Sequence, residues 1–445
     1  MIMGARRTLL VGSLVTAALG AYHGAPLVLA GADKRDHLPG RTSRGHEAFE
    51  SACATCHTPF RGVTNDACKR CHEEGLAAAE DSHPESKFTD PRNATRVAAL
   101  DARACVTCHR EHVPDRTNAG VTLPADFCGA CHQDIRHERA SHASFSFEGC
   151  ARAGCHRFHD NRGLYEGFLA KHQHEPENLP KAVVLLVTRT AAAGKALTVA
   201  DADAPPASRT EAVMHAWSTT AHARGGVGCK ACHDVRDAAT GTRAWKDHPG
   251  TASCEGCHGG EHASFLRGQH GVRTAVGLSP LTPAMARLPM KPEARGRTLD
   301  CESCHGAHAY DTARAAADAC LGCHDDRHSR GWATTRHALA FRREQSGAAA
   351  PGTGVSCATC HLPRVARRAH GTDEVSASHD VSAALRPRDK MLRAVCVRCH
   401  GLGFAIDALA DGDLVQRNFN GRPAVHVESL EMVERRAHED QGGGG

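Results

Sequence analysis

The chain has 445 residues, 54 Lys and Arg against 50 Asp and Glu, a formal charge of +4, and only 4% Phe, Trp and Tyr beside 43 Gly and 20 Pro. A chain of this size normally fills its interior with aromatic and branched side chains, so something else must supply the apolar body here. The basic residues are scattered rather than clustered, which excludes a nucleic-acid-binding surface.

The N-terminus carries Arg6 and Arg7, a nearly uncharged apolar run from Thr8 to Gly20, and small residues before Ala30. This pattern predicts a secretory signal over 1–30, with the mature chain beginning near Gly31. The run is short for a membrane span, and no span is expected in the mature chain. The expected location is the periplasm or the cell exterior.

From residue 53 onward one five-residue figure, two cysteines two residues apart and then histidine, recurs ten times. The first half holds Cys53, Cys56 and His57; Cys68, Cys71 and His72; Cys105, Cys108 and His109; and Cys128, Cys131 and His132. A stretched copy follows, with four residues between Cys150 and Cys155 and then His156. After a cysteine-free interval come Cys229, Cys232 and His233; Cys254, Cys257 and His258; Cys301, Cys304 and His305; Cys320, Cys323 and His324; Cys357, Cys360 and His361; and Cys396, Cys399 and His400. All 22 cysteines are used.

Three chemistries compete for such pairs. A redox-active dithiol has no use for eleven copies. Structural zinc needs four ligands, hence an even number of pairs, and no histidine beside the second cysteine. Histidine fills 33 of 445 positions, so chance would place it after a given cysteine roughly one time in fourteen, yet all eleven copies have it. Covalent haem explains the pattern: two thiols add to the porphyrin vinyls and the adjacent imidazole becomes the proximal iron ligand. Eleven copies predict eleven haem c groups, whose flat apolar faces replace the missing aromatic core. Their 22 propionates would turn +4 into about −18, and the 44 Arg against 10 Lys suit bidentate pairing with carboxylates. Haem is attached outside the cytoplasm to an unfolded chain, which favours the general secretory route over twin-arginine export.

The predicted fold class is mostly α with extensive irregular loops, packed on haem, with little or no β-sheet. Short helical stretches deliver the motifs between Gly- and Pro-rich loops. The motif intervals divide the mature chain into a five-haem module over 31–175, a linker over 176–210, and a six-haem module over 211–445 ending in a disordered tail.

Removing eleven proximal histidines leaves 22, against few methionines, so bis-histidine ligation is the expected default. Five candidate distal ligands sit just beyond a motif: His112, His159, His262, His308 and His328. Residues three or four apart on a helix share a face, so such a histidine is expected to ligate a neighbouring haem rather than its own. His46 and His222 each stand seven residues ahead of the first cysteine of their half. His83, His142, His172, His270, His337 and His379 complete the candidate set.

These motifs resemble those of the multihaem c-type cytochromes. The first half, with "CVTCHREH" and "SHASFSFEGCARAGCH", is similar to the c3 and c7 type. The second half, with "HARGGVGCKACH" and "CVRCHGLGFAIDAL", looks like the hydroxylamine oxidoreductase and pentahaem nitrite reductase superfamily. It departs from that superfamily in having no motif ending in lysine and, in the relevant half, only Tyr310 to stand for a cross-linking tyrosine. The expected function is therefore electron transfer through low-spin haems, between a membrane-side donor and a soluble or surface acceptor, with self-association compatible with it and no catalytic residue assigned. The alternative is an oxidoreductase of the nitrite reductase or hydroxylamine oxidoreductase type with one open haem in the second half.

Overall fold

The computed structural model describes residues 37–442 except 59, 114–119, 151–155, 161–165, 185–193, 238–239, 370–371 and 386–389, together with 13, 15–18, 20 and 34. Cys155, Tyr165, the cleavage region of the signal and the last three glycines lie outside the described residues.

The chain is mostly α, as predicted, and its strands form three short antiparallel hairpins among the described residues: His57–Thr58 with Gly62–Val63, Asp234–Arg236 with Arg243–Trp245, and Arg364–Ala369 with Thr372–Ala377. Two motifs open helices because a capping residue precedes the first cysteine. Asp300 caps Cys301–His305 and Ser356 caps Cys357–His361, each in a reciprocal capping box that satisfies two end N–H groups. Gly306, at φ 75°, then ends the first of these helices where a side chain would be strained.

Apolar cores are small. The largest joins Leu169, Met391, Leu392, Leu402, Ile406, Leu409 and Val433; a second gathers Met214 and Trp217 around Ala223. Ahead of the terminal glycines Ser429–Gly442 is a helix, because Met432 and Val433 find buried positions and hold it against the body.

The stretch 176–210 is anchored at both described ends. The N–H groups of Leu179 and Val183 donate to the carbonyls of Cys399 and Arg398 at 2.9 and 2.8 Å. Leu197 N–H donates to Ala223 at 2.9 Å, and Asp203 accepts from Lys230 N–H at 3.1 Å. The halves also meet directly at residues 42–50. Arg287 donates to the Thr42 carbonyl at 2.8 Å and to Glu50 at 2.6 Å, and Arg273 donates to the Ala48 carbonyl at 2.8 Å. Gln269 donates to the carbonyls of Arg44 and Gly45.

Candidate haem centres

Every histidine that ends an attachment motif faces the ring of one other histidine, and no partner is shared. In the first half the pairs are His57 with His112 (6.3 Å between ring centroids), His72 with His46 (5.9 Å), His109 with His159 (6.3 Å), His132 with His83 (6.1 Å) and His156 with His142 (6.4 Å). In the second they are His233 with His308 (5.8 Å), His258 with His222 (5.9 Å), His305 with His379 (6.2 Å), His324 with His270 (6.3 Å), His361 with His328 (6.1 Å) and His400 with His337 (6.2 Å).

This spacing fits an iron between the rings. Two metal–nitrogen bonds of about 2 Å, plus roughly 1 Å from each nitrogen to its ring centre, separate the centroids by about 6 Å. Ordinary aromatic packing spans the same distance range, so the one-to-one pairing carries the argument. The planes add to it: His233 and His308 lie within 11° of parallel at 5.8 Å, wider than the roughly 4 Å of rings in face-to-face contact.

The second ring nitrogen fixes the tautomer. Nδ1–H donates to a backbone carbonyl from His83 (Phe158, 2.6 Å), His112 (Gly40, 2.9 Å), His233 (Lys246, 2.7 Å), His328 (Val415, 2.5 Å), His379 (Ala377, 3.0 Å) and His400 (Glu177, 3.1 Å). The lone pair is thereby left on Nε2, as a metal ligand requires. Burial pushes the imidazoles of His72, His83, His222, His305 and His337 below their ordinary range, and those of His270 and His361 down to about 4, which keeps them neutral.

His46 differs by donating to a carboxylate: Glu111 accepts its Nδ1–H at 2.7 Å. Burial alone would raise the Glu111 carboxyl, but hydrogen bonds from His46 and Ser43 hold it at about 2. His159 makes a longer contact, 3.2 Å, with Asp81. These acceptors were not foreseeable individually, although Glu111 sits in plain view within "CHREH".

Local backbone explains which post-motif histidines reach another ring. After His109 and His305 the helix stops, and His112 and His308 adopt φ 61° and 60°, turning their imidazoles away from their own motifs. At His258 the chain only kinks, and Ala252–Arg267 continues as helix. His262 therefore stays on that helix, 3.9 Å from Glu255, and faces no motif histidine among the described residues. His172 likewise stands apart: its Nδ1 lies 2.7 Å from Glu175, a carboxylate that also accepts Leu402 N–H at 3.3 Å. The other eleven candidates all stand opposite a motif histidine.

The order of the pairs repeats. In each half the first motif faces the histidine three residues past the third motif's own (His57 with His112, His233 with His308), and the second faces the one ahead of the first cysteine (His72 with His46, His258 with His222). The third faces one beyond the fifth motif (His109 with His159, His305 with His379), and the fourth one between the second and third (His132 with His83, His324 with His270). The fifth faces one between the fourth and fifth (His156 with His142, His361 with His328). His400 with His337 is the addition. None of these pairs crosses 176–210.

The thiols follow the same order. Cys68 lies beside Cys105 and Cys128 beside Cys150 in the first half; Cys254 with Cys301 and Cys320 with Cys357 occupy the corresponding places in the second. Cys56 with Cys71, Cys108 with Cys131, Cys232 with Cys254, Cys304 with Cys320 and Cys360 with Cys399 are near enough to interact electrostatically. Each motif thus meets the next within its half. Burial pushes the thiols of Cys360 and Cys396 up to about 11 and 12, which makes them poor nucleophiles once the chain is folded.

Residues 45–133 match the family model of cytochrome c3, a span that includes four attachment motifs and His46, His83 and His112. No curated protein and no solved structure matches the chain. The motifs and this match over residues 45–133 support a multihaem c-type cytochrome with covalently bound haem c.

Proposed function

We propose that the protein is an undecahaem electron conduit of the periplasm or cell exterior, with every iron held between the two histidines of one ring pair. The observation that carries the reading is the one-to-one pairing of eleven motif histidines with eleven others at 5.8–6.4 Å. Haem iron supplies a one-electron couple, and two imidazole ligands favour low potentials. The chain's part is to fill both axial positions and set consecutive attachment sites against each other.

The repeated order supports reading the second half as a second five-haem unit built like the first, with the Cys396, Cys399 and His400 site added. This accounts for the second half without an enzyme-like open haem. Tyr310 packs edge-on against His222 at 4.8 Å, a place that suits a wall residue of the His222 and His258 pair. Partners are redox proteins, a membrane-side donor and a soluble or surface acceptor; among the described residues no helix is long and apolar enough to cross a membrane.

Two measurements test the proposal. Denaturing mass spectrometry should find eleven haems on one chain, including one on Cys150 and Cys155. Stopped-flow oxidation of the fully reduced protein by a soluble one-electron acceptor should empty all of them in coupled fast phases. Ten haems, or a fraction of haem that oxidises only at the rate of an isolated buried site, would overturn it.

A further inference from the structure

The two five-haem units match in ligand order, so a difference at equivalent positions isolates what that residue does. His46 and His222 are equivalent: each stands seven residues before the first cysteine of its unit and faces the second motif histidine, at 5.9 Å in both cases. Glu111 lies between His109 and His112; the residue between His305 and His308 in the same relation is Ala307. Glu111 is held in place by Ser43, which donates from its backbone N–H at 2.6 Å and from its hydroxyl at 3.0 Å, and it accepts His46 Nδ1–H at 2.7 Å. Alanine can offer His222 no such acceptor, and the neighbour of that ring is Tyr310.

We propose that Glu111 is a potential-setting residue: by drawing on the Nδ1 proton of His46 it gives the His46 and His72 site a more anionic axial ligand, and hence a lower potential, than its counterpart at His222 and His258. A carboxylate hydrogen-bonded to a metal-bound imidazole raises the basicity of the ligating nitrogen, and a more basic ligand stabilises ferric over ferrous iron. Ionic acceptors do this more strongly than the peptide carbonyls that serve His83, His112, His233 and His328. Asp81 is the nearest rival, but it approaches His159 only to 3.2 Å.

The location gives the offset a use. Residues 42–50, which carry His46, form the surface on which Gln269, Arg273 and Arg287 of the second unit fasten, and His270 adjoins Gln269. The lowered site of the first unit therefore lies at the contact with the second, beside the His270 and His324 pair, which makes it the electron-donating side of that contact. The inference rests on bis-histidine ligation of both sites.

Spectroelectrochemical titration of the holoprotein tests it. In Glu111→Gln one wave, amounting to one haem and lying at the low end of the wild-type titration, should move to higher potential while the others stay in place. Glu111→Asp should restore it in part. In a background lacking Cys68 and Cys71, Glu111→Gln should change nothing. A titration unaltered by Glu111→Gln, a shift that persists without that haem, or a high-spin haem in the Gln variant would overturn the assignment, the last by making Glu111 a scaffold for His46 only. Failure of bis-histidine ligation itself would be seen separately, as high-spin haem in the wild type.

Discussion

Replacing His308 by glycine separates the ring-pair assignment from any reading based on sequence proximity. His308 is three residues from His305, yet its ring stands 5.8 Å from that of His233. Its backbone is left-handed, at φ 60°, a conformation that costs a non-glycine residue roughly 1–2 kcal/mol and glycine almost nothing. Removing a half-buried imidazole forfeits about 1–2 kcal/mol of burial. The two nearly cancel, which leaves the lost iron–imidazole bond as the net change, and because the thioether links remain, His308→Gly should fold with its full complement of covalent haem, against a total stability of about 5–15 kcal/mol. Its oxidised form should show high-spin ferric signal equal to one haem, abolished by added imidazole. The site that has lost its ligand is identified by a second change: removing Cys229 and Cys232 should eliminate the high-spin signal, and removing Cys301 and Cys304 should leave it. The opposite dependence, or no high-spin signal in His308→Gly, would refute the pairing.

Cleavage within 185–193 should leave both fragments low-spin, because no ring pair crosses that stretch; loss of the low-spin spectrum or precipitation of both would show that ligands are exchanged between halves. His270 and His361 are buried, which disfavours their protonated form, and in the proposed holoprotein each also holds an iron, so both bind fewer protons folded than unfolded below the ordinary 6.5. Stability is therefore expected to fall as pH drops through this window, read as a declining thermal midpoint; a midpoint flat between pH 6.5 and 4 would contradict it. Arg287→Ala removes two carboxylate contacts and a carbonyl contact at the junction. It should raise proteolysis near residues 42–50 without altering the haem spectrum, and an unchanged cleavage rate would show that this contact does not hold the halves together.

Much of the centre was legible in the sequence because haem attachment demands covalent partners at fixed spacing. The motif cysteines and histidines can be read off directly, and so can the mostly α class, since Gly- and Pro-rich loops around short motif helices leave little room for alternation. The ring pairs were only partly legible. His112 and His262 look alike on paper, each closely following a motif, and what separates them is whether the helix stops, as after His109, or continues, as after His258. His172 follows no motif and is taken up by Glu175. The repeated order of pairs was hidden because the spacings between motifs differ in the two halves: His159 follows its motif histidine by three residues, His379 by eighteen. Glu111 could not be singled out either, since its role depends on His46, 65 positions away. The helix ahead of the terminal glycines was not foreseen, and Met432 and Val433 decide that it packs.

The central claim, that every iron is held by two histidines, is tested most directly by electron paramagnetic resonance of the fully oxidised protein, with the signals integrated against the haem content. The account predicts low-spin ferric haem only, summing to eleven per chain. A stoichiometric high-spin haem, accompanied by turnover of nitrite or hydroxylamine at enzymatic rates, would contradict it.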